Sequence, residues 1–375
     1  MNTVYFDNAA TTPLDKEVLE AMQNAMLVYG NPSSLHADGR KAKALIESER
    51  RKIAQFLNCS PSEIVFTSGG TEADNLAILG VLEASNIQTI ISSPLEHPAV
   101  LESIKYAQSK FDTKVLWVNV LENGIIDYAH LKELLSSHPN SFVSLMHVNN
   151  EIGNITDLHE VGELCRTYNA IFHTDAVQSL GHLKIDLKEL KVDLLSGSAH
   201  KIHGPKGVGF LYIRKGIKLS SRILGGKQER EARGGTENTV GIAGLGKAIE
   251  VLSSTFNETN EYLSEFKKYF ISEIKERVPS AKFNGQSENT SHSSTAIVSI
   301  NFTGIDTNEL LLFQLDLNGV MVSGGSACSS GSLQGSHVLK ALGVEGASLR
   351  FSFSKFNTKE EIDHVIDSLW AIVKE

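Results

Sequence analysis

Between Ile64 and Ile213 the chain alternates short β-branched or aromatic runs with segments of helical period, and this alternation constrains the fold more than any other feature. The runs at 63–67, 89–92, 115–118, 142–146, 170–174 and 208–213 read as buried strands. The segments 72–82, 99–109, 129–136 and 158–168 lie between them and read as helices. Such alternation predicts an α/β fold: a mostly parallel sheet covered on both faces, with its chemistry at the carboxyl ends of the strands.

Past Gly246 the texture changes. A long polar-faced helix is expected over 248–278, a Ser/Asn/Gly-rich loop over 284–294, a strand at 296–302 and a helix at 307–317. A strand at 348–354 and a last helix, opened by Thr358 and Glu361 in capping-box spacing, complete a smaller α+β unit. A length of 375 residues suits one large domain with one small one. The division expected is a large domain over 15–250 and a small domain made of 1–14 and 251–375.

Several function classes are excluded early. A net charge of −9 argues against a nucleic-acid or anionic-membrane partner, which reward clustered Lys and Arg. No apolar run approaches the ~20 residues that cross a bilayer. The start of the chain lacks the basic and apolar regions of a signal peptide, so a cytoplasmic protein is expected. Cys59, Cys165 and Cys328 show no C-x-x-C spacing, which disfavours a disulfide framework or structural zinc.

The candidate chemistry clusters at predicted strand ends. Lys201 stands in Ser198-Ala199-His200-Lys201, just after the apolar run Val192-Asp193-Leu194-Leu195, where an amine can be desolvated and made nucleophilic. Ser68-Gly69-Gly70-Thr71-Glu72 follows one strand and opens a helix, so backbone N–H groups and the Thr71 hydroxyl can receive a phosphate. It is neither of the familiar nucleotide-binding glycine loops. Asp175, after another strand, can ion-pair with a protonated heterocyclic nitrogen or cap a helix, and Gln178 can bond a neighbouring ring oxygen. His97 offers an imidazole to stack on a planar cofactor or move protons, and Asn149 and Asn150 add amides at the same edge. His200 and His203 are three apart, but no metal-site spacing accompanies them and no resident metal is expected.

Two further residues break their local pattern. Cys328 lies within Ser323-Gly324-Gly325-Ser326-Ala327-Cys328-Ser329-Ser330-Gly331-Ser332, a hydrophilic run unlike the apolar surroundings of most free cysteines, and its thiol needs only a modest downward pKa shift to react. Arg350 is a cation in a strand-like run, suited to a bidentate clamp on a carboxylate or to a structural ion pair.

Together these residues resemble the pyridoxal-phosphate-dependent cysteine desulfurases of the NifS/IscS type, within the class V aminotransferase group. The resemblance spans nearly the whole chain and includes Asp7-Asn8-Ala9-Ala10-Thr11-Thr12-Pro13, Gly30-Asn31-Pro32-Ser33-Ser34, the run from Thr67 to Asn75, the run from His147 to Gly153, Ser198-Ala199-His200-Lys201, Arg233-Gly234-Gly235-Thr236-Glu237-Asn238 and the Cys328 segment. It implies a fold-type-I pyridoxal-phosphate transferase in which Lys201 bears pyridoxal 5'-phosphate in Schiff-base linkage, Asp175 pairs with the ring nitrogen, and His97 stacks on the ring. Gln178 and Asn150 would contact the ring hydroxyl or its surroundings. Gly70, Thr71, Ser198 and His200 would hold the phosphate, with Thr236 supplied by the partner subunit of a homodimer. Asn31 and Arg350 would bind the substrate carboxylate. The implied reaction converts L-cysteine to L-alanine and leaves a persulfide on Cys328, for an acceptor protein in iron–sulfur cluster assembly or tRNA thiolation. Lys201 would transfer the Cα proton and His97 would protonate around the departing group. Cys328 would be at most a transient ligand to an iron–sulfur cluster.

The form of the cysteine segment resembles the first group of these enzymes, whose catalytic cysteine is carried on a long segment. Ala199 stands where glycine is frequent and Gly70 where alanine is. The sequence after the last helix lacks the longer tail with which some members grip a scaffold partner. The alternatives are a selenocysteine lyase or another β-lyase of the same fold, in which Cys328 matters less, and a non-catalytic sulfur-relay subunit.

Overall fold

A computed structural model describes residues 3–302, 305, 307–324 and 335–373. The chain opens with strand β1 (Val4–Tyr5), helix α1 (Lys16–Met26) and helix α2 (Ala37–Phe56). The alternating region follows as β2 (Ile64–Thr67), α3 (Gly70–Ala84), β3 (Thr89–Ser92), α4 (Pro98–Phe111), β4 (Lys114–Trp117), α5 (Tyr128–Ser137), β5 (Phe142–Ser144), α6 (Leu158–Thr167), β6 (Ile171–Asp175), β7 (Leu194–Ser198) and β8 (Gly209–Ile213). These strands form one seven-stranded sheet in the order β2-β8-β7-β6-β5-β3-β4. β8 runs antiparallel to both its neighbours, and every other pair in the sheet is parallel. The sheet is therefore the mostly parallel one expected, with one reversed strand.

Helix α7 (Thr239–Arg277) leads into β9 (Ala281–Phe283), β10 (Ile297–Phe302), α8 (Asn308–Leu317), β11 (Val320–Met321), α9 (His337–Ala341), β12 (Ala347–Ser352) and α10 (Lys359–Val373). β12, β10 and β9 make an antiparallel sheet, and β1 pairs in parallel with β11, which returns the amino terminus to this half of the molecule. Phe6 packs edge-on against Phe266, Phe270 and Phe353 in that core.

The 39-residue α7 spans about 58 Å. Its first half (Ile242, Leu245, Ala248, Ile249) belongs to the core beneath the large sheet, and its second half (Leu263, Phe266, Phe270, Ile274) to the core around Phe6. It begins at Thr239 rather than at the expected 248, because Gly241, Gly244 and Gly246 are packing positions and not a helix boundary. A Cβ on Gly244 would lie 2.8 Å from Pro205 Cγ and 2.9 Å from Met22 Cγ. Asn238 caps the helix, its Oδ1 accepting from Gly241 N at 2.9 Å.

A buried ion pair ties the segment before α7 to the sheet. Arg50 Nη1 and Nη2 reach Glu229 at 2.7 and 2.9 Å, and Glu229 also accepts from Phe66 N at 2.9 Å. This anchor holds Glu229, Arg230 and Glu231 at φ 46°, 57° and 70°, a left-handed run that costs backbone energy without such support.

Candidate active site

The carboxyl ends of β2, β3, β5, β6 and β7 open onto one cleft, lined among others by Gly70, His97, Asn150, Asp175 and Lys201. Thr71, Gln178, Ser198, His200 and Arg350 complete the set of expected site residues found there. Each arrives by its local chain geometry. β7 is buried along its whole length and breaks into a 3₁₀ turn, Ala199–Lys201, that delivers the lysine. Lys201 Nζ donates to the carbonyls of Ala9 and Ala10, the latter at 2.8 Å. Gln178 Nε2 also donates to Ala9 O, at 2.8 Å, so the amino-terminal segment forms one wall of the cleft.

α3 starts at the end of β2 with its first turn facing the cleft at Gly70 and Thr71. The N–H of Ser68 is already taken, by Glu72 Oε2 at 2.8 Å, and Glu72 is held in turn by Arg233 Nε at 3.0 Å. Gly70 has a local reason: a Cβ there would lie 2.8 Å from Val177 Cγ2. Val177 thus occupies the room that an alanine at position 70 would need.

His97 caps α4, its Nδ1 accepting from Ala99 N at 3.1 Å. A nitrogen that accepts this bond carries no proton, so the neutral ring bears its hydrogen on Nε2. Burial lowers the pKa of His97, assisted by Lys201 and His337 and opposed by Asp175. Asp175 ends β6, and its Oδ1 accepts from Val177 N at 2.9 Å. Burial raises its pKa, against the pull of His97, the Val177 N–H and Lys201. Burial, with Lys201 and Lys206, lowers His200 to about 4, so it enters the cleft as a neutral imidazole.

Arg350 is 1% exposed. Nη1 donates to Asn150 O at 2.8 Å and Nη2 pairs with Asp7 Oδ1 at 2.9 Å, while Nε is buried with no hydrogen-bond partner among the described residues. The structural ion pair exists, and donor capacity remains beside the cleft.

The residues fit the cofactor implied by the sequence. Ser198 Oγ is a buried hydroxyl without a partner among the described residues, set beside the first turn of α3, which is the environment an anionic phosphate requires. A buried carboxylate and a lysine amine face the same space, as a protonated ring nitrogen and a Schiff-base linkage require.

Other expected residues lie elsewhere. Asn31 is exposed in the α1–α2 connection, its Oδ1 accepting from Ser33 N at 2.9 Å. Thr236 is exposed and lines a separate hollow with Thr67, Ser68 and Gly207. Asn149 is committed to the turn itself, donating to Leu95 O and accepting from Glu151 N and Ile152 N. Cys165 is buried and Cys59 half-buried, with burial pushing the Cys59 thiol up to about 12. Cys328 lies outside the described residues. Reasoning from the residue string missed Asp74, which lines the cleft from α3 and offers no signal in a helical run.

The family described as Aminotransferase class-V matches residues 4–365. A protein named cysteine desulfurase IscS from Dictyoglomus turgidum is 44% identical over 379 residues, covering 99% of this chain and 95% of that protein. A putative cysteine desulfurase IscS 1 from Bacillus subtilis is 41% identical over 383 residues, covering 100% of this chain and 99% of its own. A solved structure titled NifS-like protein superposes with a TM-score of 0.91 at 36% identity, covering 100% of both chains. No helix among the described residues is long and apolar enough to cross a membrane.

Proposed function

The chain belongs to the cysteine desulfurases of the aminotransferase class-V family, and from that premise we propose an assignment of its residues to the reaction. The enzyme converts L-cysteine to L-alanine and transfers the sulfur onward. The observation that carries the assignment is the convergence of Lys201, Asp175, His97, Ser198 and the first turn of α3 on one cleft.

Pyridoxal 5'-phosphate, when bound, supplies an electron sink for negative charge at the substrate α-carbon. Lys201 would hold it through its amine, with Asp175 as the partner of its ring nitrogen. Gly70, Thr71, Ser198 and His200 would receive the phosphate. Gln178 and Asn150 would serve the ring hydroxyl, and His97 would stack on the ring. Arg350 binds the substrate carboxylate. Lys201 Nζ moves the proton at Cα, and His97, whose hydrogen sits on Nε2, protonates near the departing group. The Cys328 thiolate then takes the substrate sulfur: an S–S bond forms, the C–S bond breaks with its electron pair left on the three-carbon product, and a persulfide remains.

The large unit over 15–250 carries the cofactor in this reading, and 1–14 with 251–375 form the small one. A second copy of the chain supplies Thr236. Support comes from the large apolar side chains of Met26, Leu27, Tyr29, Leu35 and Leu224 left in water, and from Thr236 lining a hollow other than its own cleft. The sulfur acceptor is an iron–sulfur assembly or tRNA-thiolation protein, and the enzyme works in the cytoplasm.

Borohydride reduction of the purified protein, followed by peptide mapping, tests the assignment. The label is expected on Lys201. Labelling of Lys206 instead, or of no lysine, overturns it.

A further inference from the structure

Asp74 lies one turn into α3, 1% exposed, on the side of the helix that covers the sheet. His173 and Asp175 sit two apart on β6 and so share a face of the sheet. Asp74 meets both: its Oδ1 is 3.6 Å from His173 Nε2, and ligand atoms of Asp74, His97 and Asp175 all lie within 4.8 Å of one another. That Oδ1 is buried and has no hydrogen-bond partner among the described residues.

Two carboxyl groups this close and this buried do not both stay charged. The surroundings decide which one is the anion. Asp175 receives the Val177 N–H and faces Lys201 and His97. Asp74 faces the Ser196 hydroxyl, the buried carboxyl of Glu96, and His173. His173 gives it no cation: the ring is enclosed between Ser144 Oγ at 2.9 Å and Ser196 Oγ at 3.1 Å, and burial lowers its pKa to about 3. A buried oxygen without a partner costs least when it is uncharged.

We propose that Asp74 is a positioning residue that stays a neutral acid at neutral pH, leaving Asp175 as the sole anion of the pair. This rests on the reading in which Asp175 serves the cofactor ring nitrogen. The direction of titration agrees: burial and the Asp175 charge, then Glu96, raise Asp74 well above the usual carboxylate range, against the opposing hydrogen bond of the Ser196 hydroxyl. Asp175 has cationic neighbours that oppose its rise, and Asp74 has none that act comparably.

The test is infrared spectroscopy of the full-length protein carrying carboxyl-¹³C aspartate, with its cofactor and after removal of it. Wild type should show a protonated-acid carbonyl stretch from aspartate at neutral pH. Labelling only aspartate separates this band from Glu96. Asp74→Asn should lose the band and Asp175→Asn should keep it, with circular dichroism confirming that both fold. Absence of the band in wild type, its survival in Asp74→Asn or its loss in Asp175→Asn overturns the proposal. Positioning has its own readout: Asp74→Leu should weaken pyridoxal-phosphate uptake about ten-fold more than Asp74→Asn, and equal losses overturn that part. Failure of the underlying reading is distinguishable, because Asp175→Asn would then take up cofactor as wild type does.

Discussion

Arg350 Nη2 and Asp7 Oδ1 pair at 2.9 Å, joining β12 to the amino-terminal segment whose Ala9 and Ala10 carbonyls hold the Lys201 amine. The guanidinium is thus fixed by Asp7 and Asn150 before any substrate arrives, and preorganisation of this kind lowers the cost of binding a carboxylate.

Arg350→Ala should therefore raise the KM for cysteine by one to two decades, the loss of a charge-assisted contact of about 1.5–3 kcal/mol. Arg350→Lys should recover only part, because an ammonium lacks the planar fork. Steady-state kinetics alongside a melting curve check this. A folded Arg350→Ala with wild-type KM and kcat assigns Arg350 to the ion pair alone.

Cys328→Ser should retain pyridoxal phosphate, because none of the groups assigned to hold it belongs to the Cys328 segment. Sulfur transfer should stop, since a serine hydroxyl at neutral pH neither attacks the substrate sulfur nor carries a persulfide. After incubation with L-cysteine, intact-mass spectrometry should find one added sulfur on wild type and none on the variant, with little alanine released. Undiminished alanine production by Cys328→Ser would favour a β-lyase.

Thr236 should act in the cleft of a second copy. Mixing Lys201→Ala chains with Thr236→Ala chains gives heterodimers with one site lacking both residues and one site intact. Alanine formation in the mixture should exceed that of either parent. No recovery in verified heterodimers rejects the shared site.

Lys267 links stability to pH. Its Nζ, fully buried in α7, donates to Ser293 Oγ and Ser294 O, each at 2.7 Å, and burial lowers its pKa to about 7. Above that value the folded lysine is neutral while the unfolded one remains charged up to about 10.4, so unfolding takes up a proton and stability rises with pH. One such group contributes a slope of up to ~1.4 kcal/mol per pH unit. Lys267→Met should remove it, and urea unfolding at several values between about pH 7 and 9 measures the difference. Parallel profiles for the two proteins would show that Lys267 does not titrate in that range.

The strand–helix alternation was legible because strands buried on both faces demand short continuous apolar runs. Strand direction was not. β8 is as apolar as the mutually parallel strands of the sheet, and no periodicity distinguishes a reversed strand covered on both faces. The start of α7 was hidden for a different reason: its glycines look like helix breakers until Met22, Pro205 and Glu49 are seen to press against them.

The same division runs through the site. Residue type and strand-end position marked Lys201, Asp175, His97 and the turn before α3, since a reactive amine, a carboxylate and free helix N–H groups carry their chemistry in the local string. Only the tertiary structure set the Ala9 carbonyl against a lysine 192 positions away, gave Arg350 its partner Asp7, left Asn31 and Thr236 outside the cleft of their own chain, and slid Asp74 between His173 and Asp175. Periodic burial is a property of neighbouring residues and is written in sequence. Convergence depends on how α3 and the amino-terminal segment dock on the sheet, and the same local string is compatible with many dockings.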